Sequence, residues 1–169
     1  IAINAALTGH LVFSTLHTND APSAVARLVD MGVKPFLVAS AVRAIMAQRL
    51  VRRVCKNCAV EIDPDPAELA ALDLPADYFG DTKLKRGTGC ADCTNGYRGR
   101  LGIFELFQVD EGVQKLIYEG VAAGVIRRYA REHGMRTMRE DGLRKVAAGA
   151  STLEEVIRIT AADEPDMQE

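Results

Sequence analysis

Two Cys-x-x-Cys pairs, Cys55/Cys58 and Cys90/Cys93, use up every cysteine in this 169-residue chain. They constrain the fold more than any other feature. Each pair bites from a tight turn, and two bites meeting at one point make the tetrahedral thiolate shell of a metal ion. Zinc in such a shell is structural, because four thiolates leave no position for water or substrate. Two other readings stay open: a redox dithiol and a pair of disulfides. The interval between the pairs, Ala59–Gly89, is longer than a usual zinc-ribbon spacing. It reads as a looped-out module closed at its neck by the metal.

The flanks of the module are extended and apolar. Arg49–Val54 and Gly99–Val109 read as two arms of a hairpin whose tip has swollen into the cysteine loop. On the second arm Leu101, Ile103 and Glu105 share one face, with a register shift expected near Phe107. Inside the tip, Asp65–Leu72 reads as a short helix and Thr82–Lys85 as a brief strand. Before the first arm come three further segments. Ile1–Leu7 is helical and stopped by Thr8-Gly9. Ala21–Met31 is a helix capped by Asn19 or Asp20. A second helix runs from Pro35 to about Gln48. After Asp110 all is helix: Glu111–Glu119, Ala122–Glu132, Met138–Ala148, and a last one opened by a Ser151-x-x-Glu154 capping box. Asp163–Glu169 is acidic and expected to fray. The opening residue is Ile, in mid-pattern, so the chain reads as a fragment whose upstream part is missing.

His10–Leu16 (HLVFSTL) is a near-continuous apolar run, as in a strand buried on both faces of a parallel sheet. Ligands of such sheets sit beyond the carboxyl ends of the strands. Thr15 and His17 would then face the crevice, where a hydroxyl and an imidazole can hold a phosphate or orient an attacking water. The plainer reading is that His10 caps the strand start and His17 belongs to a turn. No G-x-x-x-x-G-K-[ST] loop is present, and no apolar strand ends in an acidic residue fit for Mg²⁺. These residues alone therefore cannot cradle a triphosphate. The cluster Arg49, Arg52, Arg53 and Lys56 reads first as charge guarding an exposed strand edge. The sharper reading is contact with nucleotide or a neighbouring subunit. A formal net charge of −2 gives no basis for nucleic acid as a partner, and the interval between the cysteines is itself acidic.

Five stretches carry a resemblance: TGHLVFSTLHTNDAPSAVARLVDMGV, MAQRLVRRVCKNC, CADCTNGYRGRLGIFEL, MREDGLRKV and STLEEVIRIT. Together they resemble the secretion and pilus-assembly ATPases, the type II secretion ATPase (protein E) and the type IV pilus extension motor. The resemblance covers nearly the whole chain. It implies an α/β fold, the C-terminal half of a RecA-like P-loop ATPase domain with an inserted tetracysteine zinc module and a C-terminal helical domain. Ile1–Val54 with Gly99–Val109 would be the ATPase core, Cys55–Arg98 the zinc module and Asp110–Glu169 the helical appendage.

Activity, cofactors and partners follow from the same resemblance. The family's histidine box matches His10 and His17 and lies beside the nucleotide. Thr15 joins them as a candidate catalytic residue, and Arg49 is the candidate contact to nucleotide. Cys55, Cys58, Cys90 and Cys93 match the zinc ligands, which retraction motors of the superfamily lack. The expected enzyme is an ATPase of ATP and Mg²⁺, a homo-hexamer on the cytoplasmic side of the inner membrane. Its partners would be an inner-membrane platform protein and the secretion or pilus machinery. The phosphate-binding loop is expected ahead of Ile1, and the fragment alone is expected to be inactive. The alternative function is a zinc-dependent docking module for the platform protein. Leu11, Phe13 and Leu16 would need upstream strands to cover them, at about 1.5–3 kcal/mol each.

Overall fold

The computed structural model describes residues 1–161; the acidic segment Asp163–Glu169 lies outside them. The chain divides into two compact units. Of the described residues, one comprises Ile1–Ala47 and Glu105–Thr137, the other Gln48–Phe104 and residues 138–161.

In the first unit, α1 (Ala2–Leu7), α2 (Ser23–Asp30) and α3 (Pro35–Ala41) precede the first strand. Pro35 sits in the first turn of α3, where a missing N–H costs nothing. The expected helix to Gln48 stops at Ala41. Val42 is already extended, and β1 (Ala44–Val54) takes over. The β-branched Val42 and Ile45 suit extended chain, and β4 (Tyr97–Gln108) supplies β1 with a pairing partner. On β4, Ile103, Glu105 and Phe107 are buried, as is Val109 beyond it, while Phe104, Leu106 and Gln108 face outward. The alternation is unbroken, so the register shift expected at Phe107 does not occur.

The helices α5 (Glu111–Glu119) and α6 (Ala123–Glu132) complete this unit. Asp110 caps α5 by accepting the Val113 N–H at 2.8 Å, and Gly120 closes it in the left-handed conformation at φ 70°. The core joins Val25, Val38, Phe107, Val113, Ile117 and Ile126.

The expected buried strand over His10–Leu16 does not form. These residues join no helix or strand, and Leu11 and Phe13 are 81% and 88% exposed. A parallel strand needs a hydrogen-bonded neighbour and helices over both faces. Among the described residues neither is provided.

In the second unit, β2 (Ala59–Ile62) pairs antiparallel with β3 (Leu84–Gly87), Ala59 opposite Gly87. The sequence reading missed β2 and placed β3 two residues early. Between them is α4 (Pro66–Ala70), capped by Asp65. The last helices are α7 (Met138–Ala147) and α8 (Leu153–Thr160). Leu69, Leu72, Phe79, Leu84, Leu143, Val146, Leu153 and Val156 form one apolar core. The cap of α8 is Thr152, one residue beyond the expected Ser151; its hydroxyl accepts the Glu155 N–H. Ser151 instead donates to the Arg52 carbonyl at 2.9 Å.

Glu155 is wholly buried. Its carboxylate accepts the Arg52 backbone N–H at 2.7 Å and the Arg52 and Arg158 guanidiniums at 2.8–3.0 Å. Arg52 lies 4.1 Å over the Tyr97 ring, and Tyr97 shares a hydrogen bond with Thr152. Burial resists the charge on Glu155, but the bonds from Arg158 and Arg52 outweigh it and bring the carboxyl from 4.5 down to about 2. A depressed carboxyl stabilises the fold above its unfolded pKa and loses that contribution as pH falls through the folded one.

Glu155→Ala is expected to cost about 2–3 kcal/mol, the loss of charge-assisted bonds to one buried group. Urea unfolding of the variant checks it. The stability difference between parent and variant should be full above pH 4.5 and shrink as pH falls toward 2. A difference constant across that window would show that the charge on Glu155 is not what matters.

Candidate metal centre and the histidine segment

The cysteine site is built from two turns. Cys55 follows β1 directly, and its N–H donates to the Gly96 carbonyl at 2.9 Å. Asn57 in the first turn donates to Asp92 in the second at 2.8 Å. The Thr88 N–H and hydroxyl both donate to the Cys58 carbonyl, at 3.0 and 3.2 Å. Gly87 and Gly96 lie back to back. A Cβ on Gly87 would come within 2.1 Å of the Gly96 oxygen, and Gly96 has φ 83°. Only glycine at both positions lets the end of β3 reach the second turn.

The four sulfurs all lie within 4.8 Å of one another. Cys55 and Cys90 are 3.9 Å apart, Cys58 and Cys93 3.7 Å, and Cys90 and Cys93 3.5 Å. A tetrahedron with metal–sulfur bonds of about 2.3 Å has edges of about 3.8 Å. These separations fit that figure and are far too long for a disulfide, which needs about 2.05 Å. All four cysteines are free. The donor set is soft and closed, which suits a tetrahedral metal.

The thiols differ in acidity. Burial works against a charge on Cys93, yet the Cys90 N–H, the Cys90 and Cys58 thiols and the Gly96 N–H bring it down to about 7. Cys90 is pushed up to about 12: the Asp92 N–H favours its thiolate, but the Cys93 sulfur, burial and the other two thiols oppose it. Cys58 is also raised, first by burial. The same hydrogen bond between Cys90 and Cys93 thus favours the thiolate on Cys93 and the thiol on Cys90. A bound cation would favour the thiolate form of all four and release protons.

The other expected site residues are His10, Thr15, His17 and Arg49. His10, Thr15 and His17 are exposed, on the irregular segment. The Nδ1 of His10 is 3.1 Å from the Thr8 hydroxyl. Arg49 donates to the Ile159 carbonyl at 3.3 Å, in the last turn of α8, where a cation meets the negative end of the helix.

The segment bearing His17 is gripped where it rejoins the core. Asp20 accepts the Ser23 N–H at 2.8 Å, the Ser23 hydroxyl at 2.7 Å and the Arg127 guanidinium at 2.7 Å. The buried Ala21 donates its N–H to Glu105 at 2.8 Å. The sequence placed Glu105 on one face of the strand with Leu101 and Ile103 and gave its carboxylate no partner. The available signal was an acidic residue in phase with Ile103. Arg127 carried no such signal, since its partner is distant in sequence.

Comparison with known proteins gives a consistent relationship. The family model described as "Type II/IV secretion system protein" matches residues 1–158. The chain is 49% identical over 161 residues to the type IV pilus assembly ATPase PilB of Thermus thermophilus, covering 95% of the chain and 18% of that protein. It is 50% identical to the type II secretion system protein HxcR of Pseudomonas aeruginosa, again over 95% of the chain and 30% of that protein. To the type II secretion system protein E of the same organism the identity is 47%, with 95% and 32% covered. The chain thus spans a third or less of the length of these relatives. Its fold resembles a crystal structure of the pilus retraction motor PilT with bound ADP. The TM-score is 0.60 at 22% identity, covering 99% of this chain and 36% of that one. No helix among the described residues is long and apolar enough to cross a membrane. From the family match over residues 1–158 and identities near one half, the chain belongs to the Type II/IV secretion system protein family.

Proposed function

We propose that this chain is the C-terminal part of an ATPase that powers type II secretion or type IV pilus assembly. The observation that carries the reading is the match along residues 1–158 to relatives named as secretion proteins and pilus assembly ATPases. In this reading residues 1–54 and 99–109 are the back half of a RecA-like core, and 110–169 its helical appendage. The protein works as a hexamer on the cytoplasmic face of the inner membrane. ATP and Mg²⁺ are held by a phosphate-binding loop that these residues do not contain, so the chain alone does not turn over ATP. His17 orients the attacking water or contacts phosphate, with His10 and Thr15 nearby and Arg49 toward the nucleotide. Such catalysis is mostly placement and charge.

The metal is zinc, held by Cys55, Cys58, Cys90 and Cys93. When bound it ties two turns of a small unit together and supplies no reactive position. A second reading, a zinc-dependent docking module for a membrane platform protein, draws support from the exposed Val60 and Tyr78.

Elemental analysis of reduced protein should find one zinc per chain. Cobalt substituted for it should show the visible bands of a tetrahedral thiolate site. Cys58→Ser should weaken metal binding by tenfold or more; metal-free protein with an unchanged fold would remove the metal from the account. In the full-length protein, His17→Ala should lower kcat by roughly a hundredfold, within the range for a proton-handling or positioning group, and leave ATP binding within a few fold. Unchanged turnover would take His17 out of the mechanism. In the same assay Cys55→Ser with Cys58→Ser should spare basal hydrolysis if the module only docks, and abolish it if the module supports the ATPase core.

A further inference from the structure

We propose that Glu105 and Arg127 are positioning residues that set where His17 stands, an inference that rests on the ATPase reading of His17. Residues 10–18 join no helix or strand, so their own backbone does not fix His17. The chain becomes fixed at Asp20 and Ala21, three and four residues on. Three residues reach at most about 10 Å, so the anchor at Asp20 limits where the imidazole can stand, and a shift there moves that region with it.

Two groups remote in sequence hold those adjacent residues. Glu105 reaches Ala21 across 84 positions of sequence and Arg127 reaches Asp20 across 107. Glu105 is 5% exposed and lies in phase with Phe107 on the buried face of β4. A buried carboxylate there opposes core formation unless it has donors, and the Ala21 N–H is one of them. An apolar residue would fill the same space and leave that N–H buried without this acceptor. The Arg127–Asp20 pair is part-buried, with side chains 28% and 16% exposed. It is therefore less screened than the surface pairs that contribute little. Asp20 is also bonded twice to Ser23 at the start of α2, so the guanidinium grips a residue already fixed to that helix. β4 and α6 thus hold the end of the histidine segment from two directions.

Groups that orient a reacting water tolerate little displacement; about 1 Å can cost a hundredfold. Loosening either grip should lower kcat and leave KM nearly unchanged. Steady-state ATP hydrolysis by the full-length protein tests this. Glu105→Ala and Arg127→Met are each expected to lower kcat at least tenfold, about a tenth of the full misplacement effect, with KM within roughly threefold. Glu105→Gln should recover most of the loss, because its amide oxygen still accepts the Ala21 N–H. The double variant Glu105→Ala/His17→Ala should be no slower than His17→Ala alone, since both act through one group. Amide exchange at Ala21 should speed up in Glu105→Ala and return toward the parent rate in Glu105→Gln. Arg127→Met leaves the bonds between Asp20 and Ser23 in place, so it carries the test if Glu105→Ala does not fold. Normal kcat in both single variants beside a slow His17→Ala, or losses that add in the double variant, would overturn the positioning claim. Normal turnover of His17→Ala would instead strike the reading of His17 itself.

Discussion

A buried carboxylate with two arginines on it organises the second unit. Glu155 cannot stay charged inside the protein unless donors surround it, and its donors come from β1 and from its own helix. Arg52 then stacks on Tyr97, which leads into β4, and Tyr97 bonds Thr152 at the cap of α8. One charge thereby fixes the two places where the cysteine turns leave the strands. Cys55 lies three residues beyond Arg52, and Cys93 four before Tyr97. The network holds the neck of the module with covalently short leads, which is what a four-sulfur site needs to keep its edges near the tetrahedral value.

The sulfurs and that network divide the work. The apolar core of the unit is modest, built around Leu69, Leu84, Leu143 and Leu153. The cysteine turns lie outside it and are held by backbone bonds, the Asn57–Asp92 pair and the approach of Gly87 to Gly96. The shared hydrogen bond lowers the Cys93 thiol and raises that of Cys90. A bound cation would favour the thiolate of all four and would tie the two turns into one closed ring, a structural role.

The histidine segment shows a different arrangement. Leu11 and Phe13 face outward, yet its far end is held by a part-buried ion pair and by a buried carboxylate. Exposure of Leu11 and Phe13 beside so firm an attachment describes a segment with a fixed root and uncovered flanks.

Much of the local structure was legible in the residues themselves. The Asp110 cap opens α5, Pro35 opens α3, and two Cys-x-x-Cys turns announce a four-sulfur site. The cap and the helix start depend on neighbours a few positions apart, so the sequence carries their whole cause; the two cysteine turns, 35 positions apart, are announced by their matching motif. The end of α3 at Ala41, the cap at Thr152 in place of Ser151, the pairing of Ala59–Ile62 with Leu84–Gly87 and the failure of His10–Leu16 to become a strand were not legible. Each depends on whether a distant segment offers a hydrogen-bond partner. The same holds for Glu155 with Arg52 and for Glu105 with Ala21. A charge in an apolar pattern says only that a partner must exist; folding decides which one, because donors far apart in sequence become neighbours only once the core has closed.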